Sequence, residues 1–164
     1  MSDSSGTYAN GCFWFGSGPF ASFWLELYGE TLATPGTRYC QALANSTGAA
    51  ATILALGSAS ASAGSLTVEA EPVPARFGLF IHGDQRQELP FGNGFLCVSG
   101  SPLRGKPFHP SGDRLAYTFD NSDSAHSLMA YVGTLRYFQA FFRDPAAGGA
   151  AFNSSDAIAV AILP

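Results

Sequence analysis

The chain has 164 residues, 46% of them hydrophobic and only 12% charged, which suits one domain with a real core and excludes a disordered or solvating tail. Its net charge of -4, with Lys106 as the sole lysine and no Lys/Arg cluster, argues against electrostatic capture of nucleic acid or an anionic membrane. No uninterrupted apolar run approaches the roughly 18 residues needed to span a bilayer.

The first ten residues, 1–10, read as a flexible N-terminus, and residues 11–164 as a single domain. The opening "MSDSSGTYANGC" has neither the basic region nor the apolar region of a secretory signal. The expectation is a secreted chain whose signal has been removed, with Met1 added. Residues 11–35 are crowded with Phe13, Trp14, Phe15, Phe20, Phe23, Trp24 and Tyr28. As a strand, "SFWLELY" aims Phe23, Leu25 and Leu27 at the core and Trp24, Glu26 and Tyr28 outward.

From residue 36 the texture changes. "ATILALGSASASAGS" is rich in alanine, yet it lies between the turn signals at Asn45–Gly48 and Gly64 with Gly57 between, so extended structure is expected over helix. "SLTVEAE" sets Leu66, Val68 and Ala70 against Thr67, Glu69 and Glu71, the period-2 pattern of a half-buried strand. "RFGLFIHG" and "GFLCVSG" read as two more strands, joined by the polar connection "GDQRQELPFGNG" with a turn at Asn93-Gly94. "RLAYTFDNSD" alternates Leu115, Tyr117 and Phe119 against Ala116 and Thr118 before a turn cluster. "SLMAYVGTLRYFQAFFRDP" has Leu128, Tyr131, Leu135, Phe138 and Phe142 at helical spacing, but Gly133 and the aromatic run favour strand. "SDAIAVAILP" alternates Ile158, Val160 and Ile162 against alanines. Many short strands between turns predict an all-β fold, a two-sheet antiparallel β-sandwich of jelly-roll-like form with little helix.

In order, "GTRYC", "NSTGAAA", "GSASASAGSLTVEA", "RFGLFIHGD", "GNGFLCVSG", "FQAFFRDP" and "FNSSDAIAV" resemble a module common at the C-termini of large secreted and surface proteins of planctomycete-type and myxobacterial-type bacteria. The resemblance spans residues 36–163, making 36–164 the family-like part of the domain. It implies a secreted β-sandwich-like module of undefined molecular function. It also implies Cys40 and Cys97 as the matched cysteine pair, and Phe138, Gln139, Arg143 and Asp144 as the matched C-terminal motif. The chain departs from the pattern at Phe141-Phe142, where the family has Trp-Tyr.

Pairing Cys40 with Cys97 leaves Cys12 as a free or intermolecular thiol; three reduced, buried cysteines are the competing reading. His82, His109 and His126 are far apart in sequence. "FIHGD" offers His82 and Asp84 at a strand end, with Ser99 or Ser101 to complete a triad, but G-x-S-x-G is absent and solvent-exposed loop histidines are the plainer expectation. The expectation is therefore no catalytic residue and no enzyme. Asp120, Asn121 and Asp123 in "FDNSDS" are weak candidate calcium ligands against the plainer reading of an Asx-rich turn; no other metal or cofactor is expected. Arg143 and Asp144 read as a local ion pair or as partners for loop carbonyls. Trp14, Trp24 and Tyr28, with Glu26 or Gln41 as polar anchors, form a candidate sugar-stacking platform.

Two functions follow. The first is a non-catalytic extracellular binding or adhesion module for a polysaccharide or a cell-surface protein. The second is a self-assembling subunit of an extracellular fibre or surface layer, in which the aromatic N-terminal strand adds to a neighbour's sheet.

Overall fold

The computed structural model describes residues 34–122 and 127–164. Ten strands run through them: β1 Thr37–Tyr39, β2 Thr52–Leu56, β3 Leu66–Glu71, β4 Gly78–Gly83, β5 Gln85–Phe91, β6 Gly94–Ser99, β7 Leu103–Arg104, β8 Leu115–Phe119, β9 Leu135–Arg143 and β10 Phe152–Ala161. All strand pairs are antiparallel. One sheet is ordered β1-β10-β9-β4-β7, a second β2-β3-β8, and β5-β6 form a separate hairpin. The only helical segments among the described residues are single 3₁₀ turns at Ala61–Ala63, Leu128–Tyr131 and Pro145–Ala147. The fold is all-β, as the alternating sequence pattern demands.

The core follows from that alternation. Leu66, Val68 and Ala70 on β3, Leu115 and Phe119 on β8, and Ile53 and Ala55 on β2 are buried, and they share one cluster with Phe80, Phe138, Ala140, Phe142, Ile158 and Val160 of the five-stranded sheet. Buried alanines at 51, 55, 70 and 140 make room for Phe138 and Phe142, the mixture of small and large side chains that interior packing density requires. Each large side chain buried in this way contributes about 1.5–3 kcal/mol.

The aromatic run 135–143 is strand, the central member of the larger sheet, flanked by β10 and β4. Arg136, Phe138, Ala140 and Phe142 face the core, while Gln139 on the opposite face is also fully buried. Leu135 is exposed, so the helical set Leu128–Phe142 shares no single face. The preceding turn at Leu128–Tyr131 is capped by Ser127, whose Oγ accepts the Met129 N–H at 3.3 Å.

Three local expectations need correction. The polar connection before Asn93 is itself a strand, β5, paired with β6 from Gln85↔Ser99 to Phe91↔Gly94. Its side chains are mostly exposed, so no hydrophobic alternation marks it. The turn is centred on Gly92-Asn93 rather than Asn93-Gly94; Gly92 has φ +67°, which suits the first central position of a II′ hairpin turn. Arg143 and Asp144 form no ion pair: Arg143 is exposed, whereas Asp144 is fully buried and accepts the Ser46 N–H at 3.0 Å.

Cys40 and Cys97 are disulfide-bonded, with their Cα atoms 6.2 Å apart. The bond joins the end of β1 to β6, and neighbouring polar groups reinforce it. Tyr39 donates its hydroxyl to the Cys97 carbonyl at 2.8 Å, and burial pushes that phenol well above its usual range, with Tyr137 adding to the shift. Gln139 accepts the Cys97 N–H at 2.9 Å and donates to the carbonyls of Phe95 and Ser155, both at 2.8 Å. A single buried amide thus ties β9, β10 and the hairpin together.

Candidate functional site

The antiparallel register brings together side chains that are scattered along the chain. β9 pairs β4 with Phe141 opposite Leu79, and β10 pairs β9 with Phe152 opposite Arg143. β7 pairs β4 with Arg104 opposite Ile81. Because strand side chains alternate, Leu79, Ile81, Phe141, Arg143, Phe152 and Arg104 share the sheet face that looks away from the main core. The hairpin adds Phe91 and Leu96, and Phe77 and Pro107 close the ends.

The result is an open groove of about 770 Å³ with an almost wholly apolar lining, in the size range of small-ligand sites. Phe77 and Phe91 remain 51% and 46% exposed, too much for core residues. They are held rather than loose: Phe91 meets Phe141 edge-on with ring centroids 5.8 Å apart and Phe152 at 5.2 Å, and Phe77 lies against the His109 ring at 3.8 Å. Arg104 and Arg143 are the only charged lining residues, and neither is ion-paired among the described residues.

The histidine expectation fails at one position. His82 is 3% exposed, stacked on Phe138 at 5.5 Å and edge-on to Phe119 and Tyr131. Its Nδ1 lies 2.9 Å from Arg136 Nη2. A guanidinium only donates, so Nδ1 accepts and the ring proton sits on Nε2. Arg136 is itself buried, 4.0 Å over the Tyr131 ring, and desolvation lowers its pKa against the opposing pull of Tyr131 and Asp84. Asp84 and Ser101 are exposed and Ser99 is half-buried. His82 is occupied in a structural contact with Arg136, not set up beside a nucleophile.

Of the calcium candidates, Asp120 accepts the Ser122 N–H at 2.9 Å, and Asn121 donates to the Ala61 carbonyl at 3.0 Å while accepting from Ser127 at 3.1 Å. These contacts are those of a hydrogen-bonded turn. Asp123 and His126 lie outside the described residues, as do Cys12, Trp14, Trp24, Glu26 and Tyr28. Gln41 is exposed at the end of β1.

Sequence reasoning reached Phe141 through a motif but passed over Phe77, Phe91, Phe152 and Arg104. The available signal was large apolar residues beside turns, Phe77 ahead of β4 and Phe91 ahead of Gly92. Their convergence exists only in the register.

Compared with known proteins, the chain matches no family model, and no curated protein or solved structure is significantly similar to it.

Proposed function

We propose that this protein is a non-catalytic extracellular binding or adhesion module. The observation that carries this reading is the aromatic groove: exposed phenylalanines held in place around a cavity of about 770 Å³, with two arginines that have no ion pair among the described residues. Exposed apolar surface of this kind is a recurring mark of binding sites. The burial of His82 against Arg136 weighs against hydrolase chemistry at the histidine considered from the sequence. The disulfide is compatible with an oxidising, extracellular location, and among the described residues no helix is long and apolar enough to cross a membrane.

In this reading the five-stranded and three-stranded sheets are the layers of a β-sandwich. It is jelly-roll-like in that the chain crosses between them from β1 to β2, β3 to β4, β7 to β8 and β8 to β9. The module keeps the secreted character implied by its resemblance over residues 36–163. A polysaccharide or a cell-surface protein is the partner expected of such a module, and a smaller ligand with an apolar body is the one that the groove's lining favours.

The test is a binding screen with glycan and lipid arrays, run beside size-exclusion chromatography with and without reductant. Signal from a monomer supports the binding module. Reductant-sensitive oligomers without any bound ligand would favour the self-assembling subunit, with Cys12 as the linking thiol.

A further inference from the structure

We propose that the groove takes an amphipathic carboxylate, a ligand with an apolar chain or aryl body and one anionic head. This rests on the groove being the binding surface and names what it selects. The body is specified by the walls: Leu79, Ile81, Phe91, Phe141 and Phe152 offer carbon surface and no fixed hydrogen-bonding side chain. A sugar, with a hydroxyl on nearly every carbon, would lose water there without replacement partners.

The head is specified by charge. In a chain of net charge -4, the charged side chains that line the groove among the described residues are two arginines, with no carboxylate beside them. Further cations flank it in sequence, Arg76 beside Phe77 and Lys106 beside Pro107. Elsewhere on the surface Arg38 is paired with Asp156 and Arg114 with Glu69 and Glu71, while Arg86 on β5 has no ion pair among the described residues. Those at the groove are left available, and a guanidinium fork matches a carboxylate with two parallel hydrogen bonds.

The two cations also stand at opposite ends. Arg104 is level with Ile81, and Arg143 with Phe77, whose carbonyl accepts the Arg143 N–H at 2.8 Å. Four residue steps along the chain, from Phe77 to Ile81, separate those levels, about 13 Å in extended structure. A chain lying in the groove therefore finds an arginine at its head in either direction, so the two share the anchoring.

The experiment is calorimetric titration of the full chain with decanoate, decyltrimethylammonium and decyl maltoside below their micelle-forming concentrations, with circular dichroism confirming that each variant folds. Decanoate is expected to bind one per chain and about tenfold more tightly than the other two, the scale of one charge-assisted hydrogen bond. The double variant Arg104→Gln/Arg143→Gln removes that preference and leaves decyl maltoside unchanged, with each single variant intermediate. Phe91→Ser, at an exposed wall position, weakens all three. Equal binding of the three amphiphiles that Phe91→Ser weakens overturns the carboxylate inference and keeps the groove as a binding surface. Decanoate binding that neither the arginine pair nor Phe91 affects overturns both. Silence toward all three, with capture of an acidic leucine-rich peptide, overturns the small-ligand inference alone.

Discussion

Gln139 shows how one side chain can hold a fold. It is fully buried, and its amide meets the backbone of two separate elements while lying 3.2 Å from the Cys97 sulfur. Gln139→Leu nearly conserves volume but strands a buried N–H and at least one carbonyl, so a loss of about 2–4 kcal/mol in denaturant unfolding is expected. Asp156 acts through its charge. Its carboxylate accepts the Ile53 N–H at 2.6 Å and lies 3.6 Å from Arg38, yet burial dominates and raises its pKa from 3.8 to about 6. A raised carboxylate pKa means that the folded chain holds this proton more tightly than the unfolded chain. Its contribution to stability is therefore fully present below about pH 4 and is lost as pH rises toward and through about 6. Asp156→Asn removes the titration, so the wild-type minus variant stability difference should fall across that window by an amount on the order of 2 kcal/mol. A flat difference would show that Asp156 titrates normally.

At the scale of elements, the contact between β4 and β6 is close enough to depend on glycine. A Cβ on Gly83 would lie 2.1 Å from the Ser99 carbonyl oxygen and 2.8 Å from Val98 Cγ1. One of these partners is backbone and cannot rotate away, so Gly83→Ala forces the two strands apart. The expected cost is about 1–3 kcal/mol, read as a lower denaturant midpoint. If the hairpin shifts as a unit, the groove formed by Phe91 and Leu96 against β9 and β4 widens, and decanoate affinity falls with stability. Unchanged stability would mean that the hairpin is already loose at that end.

For the whole molecule, the disulfide restrains the unfolded chain more than any single contact. Cys40 and Cys97 are 57 positions apart, and closing a loop of that length is worth about 4 kcal/mol on the chain-entropy model. Cys40→Ala/Cys97→Ala is expected to lower Tm by more than ten degrees, on a scale of about 3–6 °C per kcal/mol for a domain of this size. Tyr39 and Gln139 still hold the Cys97 backbone, so below the new Tm the variant should keep its β circular dichroism and its ligand groove. Loss of β structure in the cold would show that the polar contacts cannot seat the hairpin without the covalent link.

Sequence alone determined the elements whose pattern is local. Leu66/Val68/Ala70, Leu115/Phe119 and Ile158/Val160 repeat every second residue because one face of each strand meets the core, and that periodicity is legible without knowing what lies opposite. The same logic set the alanine-rich segment as extended, since Gly57 and Gly64 break it before a helix could be sustained. Three things were decided only by the tertiary structure. β5 is exposed on both faces, and β9 sets Arg136 among its core-facing residues and buries the polar Gln139 on its other face, so neither carries a clean apolar period-2 signature in sequence. His82 reads in sequence as a loop residue because its aromatic neighbours come from strands and turns remote from it in the chain. The groove is decided last of all: Phe77, Phe91, Phe141 and Phe152 come from four separate segments, and strand register, which sequence spacing does not encode, places them around one cavity.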